Sequence, residues 1–244
     1  MPRLWATSAV LALVIALVGA PAAAQSVFES ASGYYEDARM RAAEDDAAGA
    51  VIQLKNALQL DDTHVPSLTL LGELLLADGQ AVQAAGLLSE ALLLGADSDS
   101  VTVNLVDAYL RSSQFSALLR TLPLENTRGS LRLELLAAHA QALLGLGRNN
   151  DAERLIMEAL DSDPQHYRAL LARSSLLLRR GNARDALRVT SALIERRPND
   201  TQAWNAQASS LQLLGRREDA ISAYQRALEF RAENTDARLS LVAL

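Results

Sequence analysis

Three dipeptides, Gly147-Arg148, Gly181-Asn182 and Gly215-Arg216, stand 34 residues apart. Five residues after each glycine comes an alanine: Ala152, Ala186 and Ala220. Pro164 and Pro198 keep the same spacing, with Ala232 in the next slot. Stepping back by the same interval finds Gly79 with Ala84, then Ala50, and small residues recur at Ala57, Ala91, Ala159 and Ala227. A fixed period of this size marks a stack of similar units rather than one globular domain. No insertion or deletion is needed between Ala31 and Asn234, so the chain divides into windows 31–64, 65–98, 99–132, 133–166, 167–200 and 201–234.

Each window reads as two helices. The first is apolar at helical spacing, as in Leu68, Leu71 and Leu75. It ends near a glycine, which takes the left-handed conformation of a helix C-terminus at little cost. The second runs as in Asp151–Leu160, Ala183–Glu195 or Glu218–Phe230, and a proline or an Asn/Asp pair breaks it. The alanines let the two helices approach closely; a bulky residue at Ala186 or Ala220 would overpack at about 1–3 kcal/mol. Composition agrees: half of the 244 residues are apolar but only 4% are aromatic, and Leu and Ala dominate. That argues against a β-sandwich or barrel. With no cysteine there is no disulfide framework, thiol nucleophile or Cys-ligated metal.

These residues resemble the tetratricopeptide repeat (TPR) family. Its pattern is met in window 201–234 by Trp204, Ala208, Leu211, Gly215, Ala220, Tyr224 and Ala227. Window 65–98 meets it with Leu68, Leu71, Gly72, Leu75, Gly79, Ala84, Leu88 and Ala91. The resemblance implies an all-α fold: a right-handed α-solenoid of about six helix hairpins over 31–234, closed by a terminal capping helix at 235–244. Window 99–132 is degenerate. Leu118 replaces the small residue, Glu125 takes another alanine slot and Pro123 falls inside the second helix. Proline removes a hydrogen bond and clashes with the preceding turn, so we expect that helix to stop at about Leu122, with a loop through Gly129. This window is either a decayed repeat or a bend or docking point between repeats 1–2 and 4–6.

Within that family, Ala50–Leu58, Leu70-Leu71-Gly72-Glu73, Ala91–Ala96 and Leu122-Pro123-Leu124 are similar to the start of PrsT-type TPR proteins of PEP-CTERM/exosortase systems, which accompany exopolysaccharide production. The chain is shorter than these and lacks their lipobox cysteine.

Residues 1–24 read as a secretory signal peptide. Arg3 supplies the positive end, Leu4–Ala20 is an almost unbroken apolar run, and Ala22-Ala23-Ala24 places small residues before a cut at Gln25. Residues 25–30 form a lead-in. No later segment matches that run, so no stable membrane span is expected after cleavage, and the periplasm is the expected location.

Chemistry is sparse. His64 and His166 occupy the same turn slot three windows apart, beside Asp61-Asp62 and Asp161/Asp163, and read as polar inter-repeat turns rather than metal ligands. His139 lies mid-helix among alanines. None of the common nucleophile, zinc or phosphate-loop motifs occurs. No catalysis, cofactor or metal is expected. The formal charge of −6 argues against a general nucleic-acid partner. It is uneven: residues 25–132 carry 15 acidic and 7 basic residues, residues 133–244 carry 14 and 15.

In TPR proteins partners lie on the concave face built by the first helices. Carried onto this chain, the corresponding slots include Tyr35, Arg39, Thr69, Glu73, Asp107, Arg111, Gln141, Arg168, Arg179 and Asn205. Arg168 and Arg179 fall in one repeat and are candidates to hold a carboxylate or other anion. The expected function is a non-catalytic periplasmic scaffold that binds a protein or peptide, in exopolysaccharide/PEP-CTERM envelope assembly. The alternatives are a TPR assembly factor for pilus, secretin or outer-membrane machinery, and direct binding of an anionic polysaccharide.

Overall fold

The computed structural model describes residues 30–96, 99–125, 127–230 and 235–243. The expected signal peptide, its cut site and most of the lead-in lie outside the described residues, as does the Ala232 slot. The described residues are helical throughout their regular structure, and the fold is an all-α helical repeat. No helix among them is long and apolar enough to cross a membrane.

Two compact units meet in sequence between His64 and Val65. The first holds one hairpin, α1 (Ala31–Ala43) and α2 (Ala47–Leu60). Both helices start on a side-chain cap: Ser30 Oγ accepts from the Gly33 N–H and Asp46 from the Gly49 N–H. Ala38, Ala50, Leu54 and Ala57 are buried between the helices.

The second unit carries α3 (Val65–Ala77), α4 (Ala81–Leu93), α5 (Asp99–Arg111), α6 (Phe115–Thr121), α7 (Gly129–Gly145), α8 (Asn149–Ser162), α9 (Tyr167–Arg179), α10 (Ala183–Arg196), α11 (Thr201–Leu213), α12 (Arg217–Phe230) and α13 (Thr235–Ala243). Sequential helices pack as hairpins, and α3, α5, α7, α9 and α11 also pack in a row. Each helix is apolar on only part of its surface, so its neighbours complete the core. The small slots are shut: Ala84, Ala152, Ala186 and Ala220 are fully buried. One core cluster joins Ala140, Leu143 and Leu144 of α7, Ala152 and Ile156 of α8, and Ala172 and Leu176 of α9.

First helices end on one left-handed residue, at Gly79, Gly147, Gly181 and Gly215. The same slot holds Asp45 at φ 63° and Ser113 at φ 56°. The turn forms even with serine there: Gln114 N–H reaches Tyr109 O at 2.9 Å, just as Gln80 N–H reaches Leu75 O at 2.8 Å. The periodic turn therefore outweighs the local preference against positive φ.

The third repeat shows how the stack accommodates its proline. α6 spans only seven residues and ends at Thr121, with Leu122 as its C-cap. His139, buried on α7 at 7% exposure, bonds the freed Leu122 carbonyl through Nε2 at 2.7 Å. A carbonyl only accepts, so Nε2 carries the proton. Burial holds the His139 pKa below its ordinary value. Leu118 fills the alanine slot and is fully buried. Phe115 packs against Gly145 so closely that a Cβ there would collide with its ring. α7 begins at Gly129, where the expected loop ends, and runs for 17 residues.

Candidate functional site

The row of first helices presents a cleft of about 610 Å³ in the second unit, lined from α5, α7, the α8–α9 turn, the end of α10 and the start of α11. Its floor is an ionic network. The Arg168 guanidinium on α9 donates to Glu134 of α7 through Nε and to Asp107 of α5 through Nη2, the latter at 2.6 Å. Gln141 Oε1 stands 3.5 Å from Nη1. Arg168 is only 14% exposed, with Glu134 at 20% and Asp107 at 31%. Burial opposes its charge, but the two carboxylates outweigh burial and hold the guanidinium above its ordinary pKa. His166 caps α9 by accepting from the Ala169 N–H and sets Nε2 3.5 Å from Glu134.

Arg168 engages its guanidinium within the chain. The carboxylates it holds are the chain's own, from two preceding repeats, so it is not free to receive an external anion. Arg179 is exposed and does not line the cleft, so the two arginines do not form one site.

Of the other candidate slots, Asp107 and Arg111 line this cleft, and Arg111 also donates to Leu76 O at 3.2 Å. Gln141 and Asn205 face a second compartment of about 580 Å³, lined by α9, α11, Tyr224 and α13. Gln202 lines both compartments. Glu73 accepts from Asn104 at 3.0 Å, linking α3 to α5, and Thr69 lies on the same helix. Tyr35 and Arg39 belong to the first unit. There Tyr35 meets His64 edge to face at 5.7 Å, and Arg39 pairs with Glu36 on its own helix.

The sequence reading missed Glu134, Tyr167, Arg196, Arg197 and Gln202. One signal could have found Glu134. It stands exactly one repeat before Arg168 with opposite charge, and equivalent slots on adjacent first helices are neighbours. Arg197 lies over the Tyr167 ring, 4.1 Å from its centroid. Burial first, and then Asp200, push the Tyr167 hydroxyl pKa far above its ordinary value. Among the described residues no group of three His, Asp or Glu side chains could hold a metal ion.

Residues 143–209 and 201–234 match tetratricopeptide repeat family models. No curated protein matches the chain. Solved structures share its fold. A tetratricopeptide repeat protein from Parabacteroides merdae is 18% identical at TM-score 0.61, covering 88% of this chain and 98% of its own. PilW, a type IV pilus biogenesis factor, is 13% identical at TM-score 0.57, covering 86% and 98%. Pseudomonas aeruginosa pilF is 12% identical at TM-score 0.52, covering 90% and 100%.

Proposed function

We propose that this chain, which carries tetratricopeptide repeats, is a non-catalytic scaffold that holds a segment of another protein along the first helices of its second unit. The observation that carries this reading is the pair of compartments that share Gln202 of α11, the second of them also lined by Gln141 of α7 and Asn205 of α11. Amide side chains both donate and accept, as a peptide backbone requires.

The signal-like residues 1–24 support export to the periplasm with cleavage after Ala24, and the PrsT-like segments support a place in exopolysaccharide or PEP-CTERM envelope assembly. Affinity capture from the native host tests the scaffold reading. Asn205→Arg with Leu178→Arg should abolish recovery of a defined partner while leaving the thermal melt within a few degrees. Equal recovery by the folded variant would contradict it. The partner's identity then separates exopolysaccharide machinery from pilus, secretin or outer-membrane machinery.

A further inference from the structure

The larger compartment is lined by four carboxylates, and each is already engaged. Asp107 and Glu134 hold Arg168. Asp163 accepts the Gln165 N–H at 2.9 Å, and Asp200 caps α11 by accepting the Ala203 N–H at 3.0 Å. Two guanidiniums at its rim have no carboxylate partner among the described residues. Arg196 donates through Nη1 to the backbone oxygen and Oε1 of Gln165, at 3.1 and 2.8 Å. Arg197 has its guanidinium carbon 4.1 Å from the Tyr167 ring centroid, and a guanidinium set over a ring can still donate from its N–H edge. Both arginines are exposed, follow one another in sequence and line the same cleft. They come from the end of a second helix, not from the first-helix slots where the sequence placed the anion site.

The neighbouring compartment has the opposite character. In a chain whose residues are 21% charged, it is lined by no charged side chain among the described residues. Gln141, Ser175 and Ser240 offer amides and hydroxyls, and Leu171 and Leu178 offer apolar surface. It shares Gln202 with the arginine-bearing cleft. An uncharged lining offers no ion-pair partner, so it favours an uncharged stretch over a highly charged one. The two guanidiniums beside it, without a carboxylate partner among the described residues, can take one carboxylate, which Arg binds bidentately.

We propose that the occupant is an uncharged polypeptide segment bearing a single Asp or Glu side chain, its carboxylate seated on Arg196 and Arg197 and its uncharged stretch beside Gln202. This rests on the scaffold reading and names the chemistry of its partner.

Selection of a random dodecapeptide display library on the full purified protein tests it. Enriched peptides should carry one acidic residue within an otherwise uncharged stretch. In fluorescence polarisation, Arg196→Glu with Arg197→Glu should weaken the best peptide about tenfold or more, and Arg196→Gln with Arg197→Gln should weaken it less. Replacing the peptide's acid by Lys should restore binding to the Glu variant. Arg179→Glu should change nothing. Enriched peptides that lack an acid but are displaced by Asn205→Arg would overturn this inference and leave the scaffold reading standing. A library that yields no peptide would overturn both. Binding of polygalacturonate that depends on Arg196 and Arg197, with no peptide enriched, would overturn both in favour of a polysaccharide ligand.

Discussion

Arg168 illustrates how one side chain can tie three repeats together while looking, in sequence, like a free surface cation. Its two carboxylates come from α5 and α7. Removing the guanidinium leaves them side by side and partly desolvated, so Arg168→Gln should destabilise the protein by about 3 kcal/mol, read as a lower denaturant midpoint at unchanged slope. A loss below ~0.5 kcal/mol would show that the network carries no stability. Ser113 is the converse case. At φ 56° it occupies the glycine slot of the repeat, so Ser113→Gly should stabilise by up to about 1 kcal/mol. His139 makes stability depend on pH. Its folded pKa lies below its ordinary value, so below about pH 6.5 the unfolded chain binds more protons and stability falls. Above that pH the contribution is fully present. His139→Gln keeps a donor for Leu122 O but cannot titrate. Denaturation at pH 7.5 and 5.5 should therefore show a smaller difference for this variant than for the parent.

At the scale of elements, the third repeat was the most legible irregularity and also the least fully read. Pro123 told where α6 must stop, because proline acts locally and through a known clash. The sequence could not show what replaced the missing helical turns, since His139, Gly145 and Leu118 act through contacts between helices. Gly145 looks like an ordinary helix end, yet Phe115 lies where its side chain would be. Gly145→Val should force that ring out and cost about 1–3 kcal/mol, measured by thermal or chemical denaturation. α13 follows the periodic pattern more simply. Ala237 is fully buried and Leu241 joins the cluster of α11 and α12, while Leu239 and Val242 stay 64% and 88% exposed. Deleting residues 235–244 should lower the melting temperature; an unchanged melt and elution volume would contradict this packing role.

Over the whole molecule, the 34-residue spacing carried the helix hairpins into view, because small slots and turn glycines are fixed by backbone geometry common to every repeat. The site was less legible. The first-helix slots led to Asp107, Arg111, Gln141 and Asn205, which line the clefts, and to Arg168, whose charge is consumed internally. Arg196 and Arg197 were invisible to that reasoning because they sit at a turn, where the repeat pattern assigns no binding role. The central claim is that the face built by α9 and α11 is where a partner protein lies. Photo-cross-linking in the native host measures this most directly, with a benzophenone amino acid placed at Gln202 in one strain and at Arg188, on the exposed side of α10, in another. The account predicts a discrete protein adduct from Gln202 and none from Arg188. Adducts from Arg188 alone, or equal adducts from both positions, would contradict it.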